Sequence, residues 1–524
     1  MKNILLKPSQ DTRTRVVFNT GVLYTKMLIT MVISLFSVRL VLNALGAVDY
    51  GIFTLIAGII SILSFLNAAM TVSTQRYLSF HQGTGNSEMQ KKVFTNSWIL
   101  HVGIGFVVVA LLAILMLFLF DGFLNITADR ISTAKMIYYF MMVSVFFAMI
   151  STPFTASLDS HENMLWIAVV TIVQSFLRLL IAFSLFYFVE ADRLFYYGLL
   201  IAGTSVVSFM LYAVFCLKNY EECSVKSFMV DKPLMKELAG FAGWNLYSNI
   251  CYLLNTQGVN LILNLFFGTI VNAAYGIALQ VNGQLKNLSL SLLKALNPQI
   301  MKSEGMNDRQ RMLRVSMMAS KFGFFLMAIF AIPSIFEMSV ILKFWLKNVP
   351  ENTIIFCSYF LLATLINQLT IGISPAIQAV GRIKNFQIII GTVALLYLPL
   401  SYLLLMLGQP ASSVFVLLVI FEIITGLIKI AFLKINCEIP ANEYLKTVVA
   451  KMIFPALLIC ALIYLATIGI NSNKQIIITF AISLTVFPVL FYFFGLNDFE
   501  KKNIKILLKK YKHHLKSKKL SDLK

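Results

Sequence analysis

Negative charge is what this sequence has least of. The chain has 524 residues but only 23 Asp and Glu, against 43 Lys and Arg. Charged residues of either sign make up 13%, roughly half the share usual in soluble domains. That is too little charge to coat a soluble globule of this size, so that class is excluded. Cysteine is sparse as well. Cys216, Cys223, Cys251, Cys357, Cys437 and Cys460 form no CxxC pair, which removes a zinc site and a disulfide framework. No long polar loop interrupts the apolar runs. A membrane polymerase or glycosyltransferase needs a sizeable water-exposed loop and a clustered acidic set. Neither is visible, so an enzyme is not expected.

What is present is apolar. Hydrophobic residues make up 59% of the chain. They gather into about fourteen runs of spanning length, from Thr20–Leu42 to Ile476–Gly495, among them Asn96–Phe120, Gly240–Phe267 and Val315–Phe336. Continuous runs exclude a membrane β-barrel, whose strands alternate. The expected fold class is therefore all-α, a polytopic membrane protein with about 14 transmembrane helices. The polar start, Met1 to Arg15, precedes a run too long for a cleavable signal, so the first helix is expected to be retained.

The net charge of +20 would suit a nucleic-acid binder, but it is spread over short loops and one tail. No nucleic-acid partner is expected. Instead the basic residues alternate between segments. Arg13 and Arg15, Arg76, Lys91 and Lys92, Lys302 and Arg309, Arg382 and Lys384, and the tail from Lys501 fall on one side. The other side carries only Arg130, Arg193, Lys343, Lys347 and Lys474, with Lys135 at a boundary. The positive-inside rule then puts both termini in the cytoplasm, with an even number of helices. Twelve and fourteen both satisfy it.

An internal repeat organises the runs. Tyr50-Gly51-Ile52 opens the second and Tyr275-Gly276-Ile277 the eighth, each followed by a glycine at the same spacing, Gly58 and Gly283. Upstream, Val38-Arg39-Leu40-Val41-Leu42-Asn43 is similar to Val259-Asn260-Leu261-Ile262-Leu263-Asn264. Units six helices apart begin on the same side, which implies a parallel repeat. The expected domains are a six-helix bundle over residues 1–217, a second over 218–433, two added helices over 434–495 and a basic cytoplasmic tail over 496–524.

Charges inside the apolar runs are the functional candidates, because one at the bilayer centre costs roughly 3 kcal/mol on insertion scales. Arg178 lies at the centre of its run, and Lys26, Lys286 and Lys321 lie several residues inside theirs. Arg39, Lys294 and Lys429 sit nearer helix ends, where long stems can reach an interface. Glu422 is the one carboxylate comparably deep. It is a candidate for carrying a proton or sodium ion, or for neutralising a buried cation. Polar residues recur at helical spacing beside several of these: Lys26, Thr30, Ser34 and Ser37; Thr171, Gln174, Ser175 and Arg178; Gln280, Gln284, Asn287, Ser291 and Lys294. Asn249, Thr256, Asn260 and Asn264 mark the seventh run. Such stripes either line a wet cavity or glue helices together. Lys286 and Asn282 lie nearly opposite the Gln280–Lys294 stripe, so both faces cannot line one cavity.

The segment Leu45-Gly46-Ala47-Val48-Asp49-Tyr50-Gly51-Ile52-Phe53 resembles the first-loop signature of polysaccharide exporters in the multidrug/oligosaccharidyl-lipid/polysaccharide (MOP) superfamily. The resemblance implies a MATE-like fold, two six-helix bundles facing each other as a V around a central cavity. It also implies transport by alternating access. The Wzx-type branch flips undecaprenyl-pyrophosphate-linked repeats of O-antigen, capsule or exopolysaccharide across the bacterial inner membrane, through a cationic cavity. Scarce deep acids favour that branch. On this expectation Arg178, Lys26, Lys286, Arg39, Asn260, Gln284 and Lys294 bind the substrate and Glu422 couples transport to an ion. The partners are then a lipid-linked anionic glycan, membrane lipids and other polysaccharide-assembly proteins, with the chain itself monomeric. No cofactor is expected beyond a coupling proton or sodium ion. The alternative is a cation-coupled multidrug or metabolite exporter of the same fold.

Overall fold

A computed structural model describes residues 12–62, 64–124, 126–188, 192–223, 229–346, 348–468, 474–502 and 505–506. Most of the expected basic tail lies outside the described residues. All regular structure among the described residues is helical. The long helices, in chain order, are α1 (Arg15–Gly46), α2 (Val48–Ile60, then Ser64–Gly83), α3 (Ser87–Phe118), α4 (Ile131–Ser160), α5 (Met164–Phe188), α6 (Arg193–Asn219) and α7 (Lys232–Phe267). They continue as α8 (Thr269–Gly305), α9 (Arg309–Phe336), α10 (Thr353–Gln368, then Ile373–Val380), α11 (Lys384–Met406), α12 (Ser412–Cys437), α13 (Ala441–Thr467) and α14 (Gln475–Gly495). Among the described residues eleven are long and apolar enough to cross a membrane, or twelve if the two halves of α10, bent by 42°, form one span. Large apolar side chains such as Leu117, Phe118 and Leu265 stay exposed, as they do on helices that face lipid. The chain is a multi-pass membrane protein.

The two helices outside that count are α2 and α8, the pair that the repeat makes equivalent. In α2, Val48–Ile60 is short and Ser64–Gly83 is polar; α8 is long but rich in Asn, Gln and Ser. The backbone repeats itself there too. Before α2 the chain leaves the helical region at Gly46 (φ 78°, ψ 171°), and between α7 and α8 it turns at Gly268 (φ 76°). Positive φ suits glycine, which has no Cβ to clash with the carbonyl. These glycines follow Asn43 and Asn264, the matched ends of the two hexads.

The chain divides into two compact units. One holds Asn19–Ile250 with Met301–Asp308, the other the start of the chain to Phe18, Cys251–Ile300 and everything from Arg309. The boundary near residue 250 reflects the length of α7, whose first turns belong with α2. There Ser73 Oγ donates to Leu238 O at 2.9 Å and Tyr77 Oη to Glu237 Oε1 at 2.7 Å. In the first unit α4 packs between α3 and α6, and Tyr138, fully buried, donates to Leu112 O at 2.9 Å. In the second unit α9 packs against α10, α13 and α14. Apolar area does not drive helices together in lipid, so close packing and hydrogen bonds must. Accordingly Phe325 stacks on Phe491 with ring centroids 4.3 Å apart, and Ser483 Oγ donates to Ile329 O at 2.7 Å. Both α13 and α14 are thus packed directly onto α9.

Candidate functional site

The expected site residues fall into distinct surroundings. In the unit containing Asn19–Ile250, Arg178 lies midway along α5 and is exposed, with no hydrogen bond or ion pair among the described residues. Its guanidinium lies within electrostatic reach of Tyr197. Arg39, on α1, is likewise exposed and unpaired among the described residues, whereas Lys26 is half-buried. The hydroxyls expected to line a wet stripe mostly bond their own helices. Thr171 donates to Ile167 O at 2.7 Å, Ser175 to Thr171 O at 3.0 Å, Thr30 to Met27 O at 3.1 Å and Ser37 to Ile33 O at 2.8 Å. A hydroxyl bonded this way still has lone pairs but no spare proton. The exposed guanidinium groups of Arg178 and Arg39 keep their donors free among the described residues.

In the other unit, Glu422 on α12 accepts a 2.9 Å hydrogen bond from Asn367 Nδ2 at the end of the first half of α10, just before the bend. Lys429, buried, lies within electrostatic reach of both Glu422 and Lys286, with no ion pair within 4 Å between it and Glu422 among the described residues. The structure thus gathers Glu422, Lys429, Lys286 and Asn367 into one polar neighbourhood at a broken helix. Gln284 is exposed on α8 and Lys294 is half-buried.

Lys321 has a different fate. It is fully buried in α9 and donates to both oxygens of Glu500, at 2.9 and 3.1 Å. Glu500 is fixed in turn by the backbone N–H of Asn497 at 2.7 Å. This cation ties the end of α14 to α9. Glu500 lies past the last apolar run, so hydropathy gave no sign that it reaches Lys321.

Asp49, the acidic member of the signature, is buried in an ion-pair chain. Arg130 reaches Asp49 Oδ2 at 3.0 Å and Asp192 Oδ1 at 3.5 Å, and Thr133 donates to Asp192 Oδ2 at 2.6 Å. The residue therefore fastens the start of α2 to the starts of α4 and α6. A second polar cluster joins helix ends. His161 Nε2 lies 2.8 Å from Glu222 Oε1, its Nδ1 is 3.0 Å from Gln82 Nε2, and Tyr220 stacks on its ring at 4.0 Å. Burial alone would raise the Glu222 carboxyl, but the bonds from His161 and Ser157 outweigh it and hold the group below its ordinary range.

Asn260, named from the sequence, lines a cavity of about 320 Å³ between α7 and α8. Thr256 and Gln257 from α7 and Asn272, Tyr275 and Gly276 from α8 share it. The Tyr275 hydroxyl donates to Thr256 O at 3.2 Å, which fixes the ring across the pair. Gln257 and Asn272 were not singled out from sequence. Their link to Asn260 exists only once Gly268 has turned α8 back beside α7.

No protein-family model and no curated protein matches the chain. Solved structures do. An outward-facing multidrug resistance MATE family transporter of the MOP superfamily matches with a TM-score of 0.71 at 13% identity, over 82% of this chain and 96% of that one. A MATE in the straight conformation gives 0.71 at 13%, over 82% and 97%. A MOP superfamily transporter from Pyrococcus furiosus, described as having a binding pocket of reverse polarity that suggests a different function, gives 0.69 at 13%, over 82% and 96%. The fold is MATE-like. The uncovered remainder is about as long as residues 434–524.

Proposed function

We propose that this chain is a flippase for undecaprenyl-pyrophosphate-linked oligosaccharide, a repeat unit of O-antigen, capsule or exopolysaccharide. It works in the bacterial inner membrane by alternating access, with both termini in the cytoplasm. The observation that carries the proposal is Arg178, an exposed arginine midway along a membrane helix with no acidic partner among the described residues. Such a charge is tolerated where it faces polar surroundings. With Arg39 it offers planar donors suited to phosphate or uronate oxygens. Lys26 adds positive charge in the same unit; in the other unit Lys286 and Lys294 are cations, and Gln284 and Asn260 offer neutral donors and acceptors. A similar fold is found in a MOP superfamily transporter whose binding pocket is described as of reverse polarity, suggesting a different function.

The cation-coupled exporter is the second reading, and one observation favours it. Glu422, hydrogen-bonded to Asn367 beside a bent helix, has the makings of a proton or sodium site. A flippase driven by that site would use it too. Surface glycan decides between them. In the flippase, Arg178→Ala removes surface polysaccharide while the protein stays in the membrane at normal level. Normal polysaccharide in that strain overturns the assignment, and drug sensitivity of a deletion strain with intact glycan favours the exporter.

A further inference from the structure

We propose that the cavity between α7 and α8 is a binding site for an uncharged sugar ring. This rests on the reading above only in taking a glycan as cargo. The lining supplies amides from Gln257, Asn260 and Asn272, the Tyr275 ring, an accepting hydroxyl oxygen from Thr256, whose proton goes to Tyr252 O at 3.0 Å, and no charged side chain. A phosphate would call for guanidinium or ammonium donors, and a cationic drug for a carboxylate. Amides, which donate and accept side by side, match the paired donor and acceptor character of sugar hydroxyls.

Three features indicate space kept for a ligand. The Asn272 Oδ1 atom is enclosed yet accepts no hydrogen bond among the described residues, and an enclosed acceptor left unpaired is costly. A Cβ added at Gly276 would meet nothing within 4 Å, so the wall lacks a side chain where one would fit. The volume, about 320 Å³, is at the lower end of small-molecule sites and suits a ring or two, not a whole repeat unit.

The repeat strengthens the assignment. By the matched hexads, Gln257 and Asn260 correspond to Phe36 and Arg39; by the Tyr-Gly-Ile match, Asn272 corresponds to Ala47. The helix pair α1–α2 therefore carries none of these amides, and they are not required by the shared hairpin. They belong to the second half alone.

The test uses the full chain in nanodiscs and saturation-transfer NMR, with a neutral N-acetylhexosamine disaccharide and a glucuronate-containing disaccharide as probes. The neutral probe should bind the wild type and the acidic one should bind this site less. Gly276→Leu should abolish the neutral signal by filling the cavity, and Leu in place of helical Gly should not harm folding. Asn260→Ala and Asn272→Ala should each weaken it about fivefold to tenfold. Equal binding to the wild type and Gly276→Leu, with matched melting curves, overturns the proposal, as does a lack of neutral-probe binding. The flippase reading fails separately, when a deletion strain keeps its surface glycan. Neutral-sugar binding lost in Gly276→Leu would then still establish the site, with another glycoside as cargo.

Discussion

Arg178 and Lys321 look alike in the sequence, each a cation well inside an apolar run, yet the fold treats them oppositely. Lys321 is fully buried and held by both oxygens of Glu500. Arg178 is exposed and has no ion pair among the described residues. The cost of an intramembrane charge is thus met in one place by a partner from distant sequence, and in the other by no protein partner among the described residues. Depth in a hydrophobic run identifies a costly residue. Only the partner distinguishes a structural charge from one available to a ligand.

The largest effect should come from breaking the paired member. Lys321→Met leaves Glu500 buried without the ammonium that bonds both its oxygens, and removing one partner of a buried pair costs about 3–5 kcal/mol. Unfolding in mixed micelles should register that loss. The double variant Lys321→Met with Glu500→Leu should recover most of it, since apolar replacement of both partners is often neutral. Arg178→Met should leave stability near wild type and remove transport. A similar stability loss in both single variants would erase the contrast.

The difference between the two hairpins of the repeat can be sharpened by transplanting it. Asn260→Arg places in α7 the residue that α1 carries as Arg39. Neutral-sugar binding should fall about tenfold, because an amide acceptor is replaced by a donor-only cation, and binding of the acidic disaccharide should rise. NMR titration of both probes against the variant checks the reversal. Unchanged preference would mean that Asn260 does not set the sign of the cavity.

Much of the fold was legible because hydropathy and the repeat report on single helices. The apolar run Gly240–Phe267 and the helix Lys232–Phe267 end together, and Val315–Phe336 ends with Arg309–Phe336. The starts were placed late because polar first turns partition like loops while hydrogen-bonding like helix. At α3 the helix begins near Ser87, where Asn86 accepts from Met89 N at 2.9 Å, well before the apolar run at Asn96. The bend between Gln368 and Ile373 was hidden for the same reason, since apolar residues continue across it. Arg178, Asn260 and Glu422 could be named from sequence. Gln257, Asn272 and Glu500 could not, because each acquires its meaning from a neighbour on another helix. Asp49 was seen as part of a signature, but its bond to Arg130 needed the fold.

The smallest expected effect concerns what the two halves share. Gly46 and Gly268 both hold positive φ at the start of equivalent helices, but Gly46 combines φ 78° with ψ 171°, a region nearly closed to residues with a Cβ. Neither site is crowded, for an added Cβ at either meets nothing within 4 Å. Substitution therefore tests backbone strain without a packing clash. Gly46→Ala should cost about 1–3 kcal/mol, and Gly268→Ala, at φ 76°, about 1–2 kcal/mol. Asn in place of Gly268 should recover part of the loss, because Asn tolerates left-handed backbone, whereas Asn at Gly46 should not. Unfolding of the four variants in one micelle composition measures this. Equal recovery by Asn at both positions would show that the two turns are the same device.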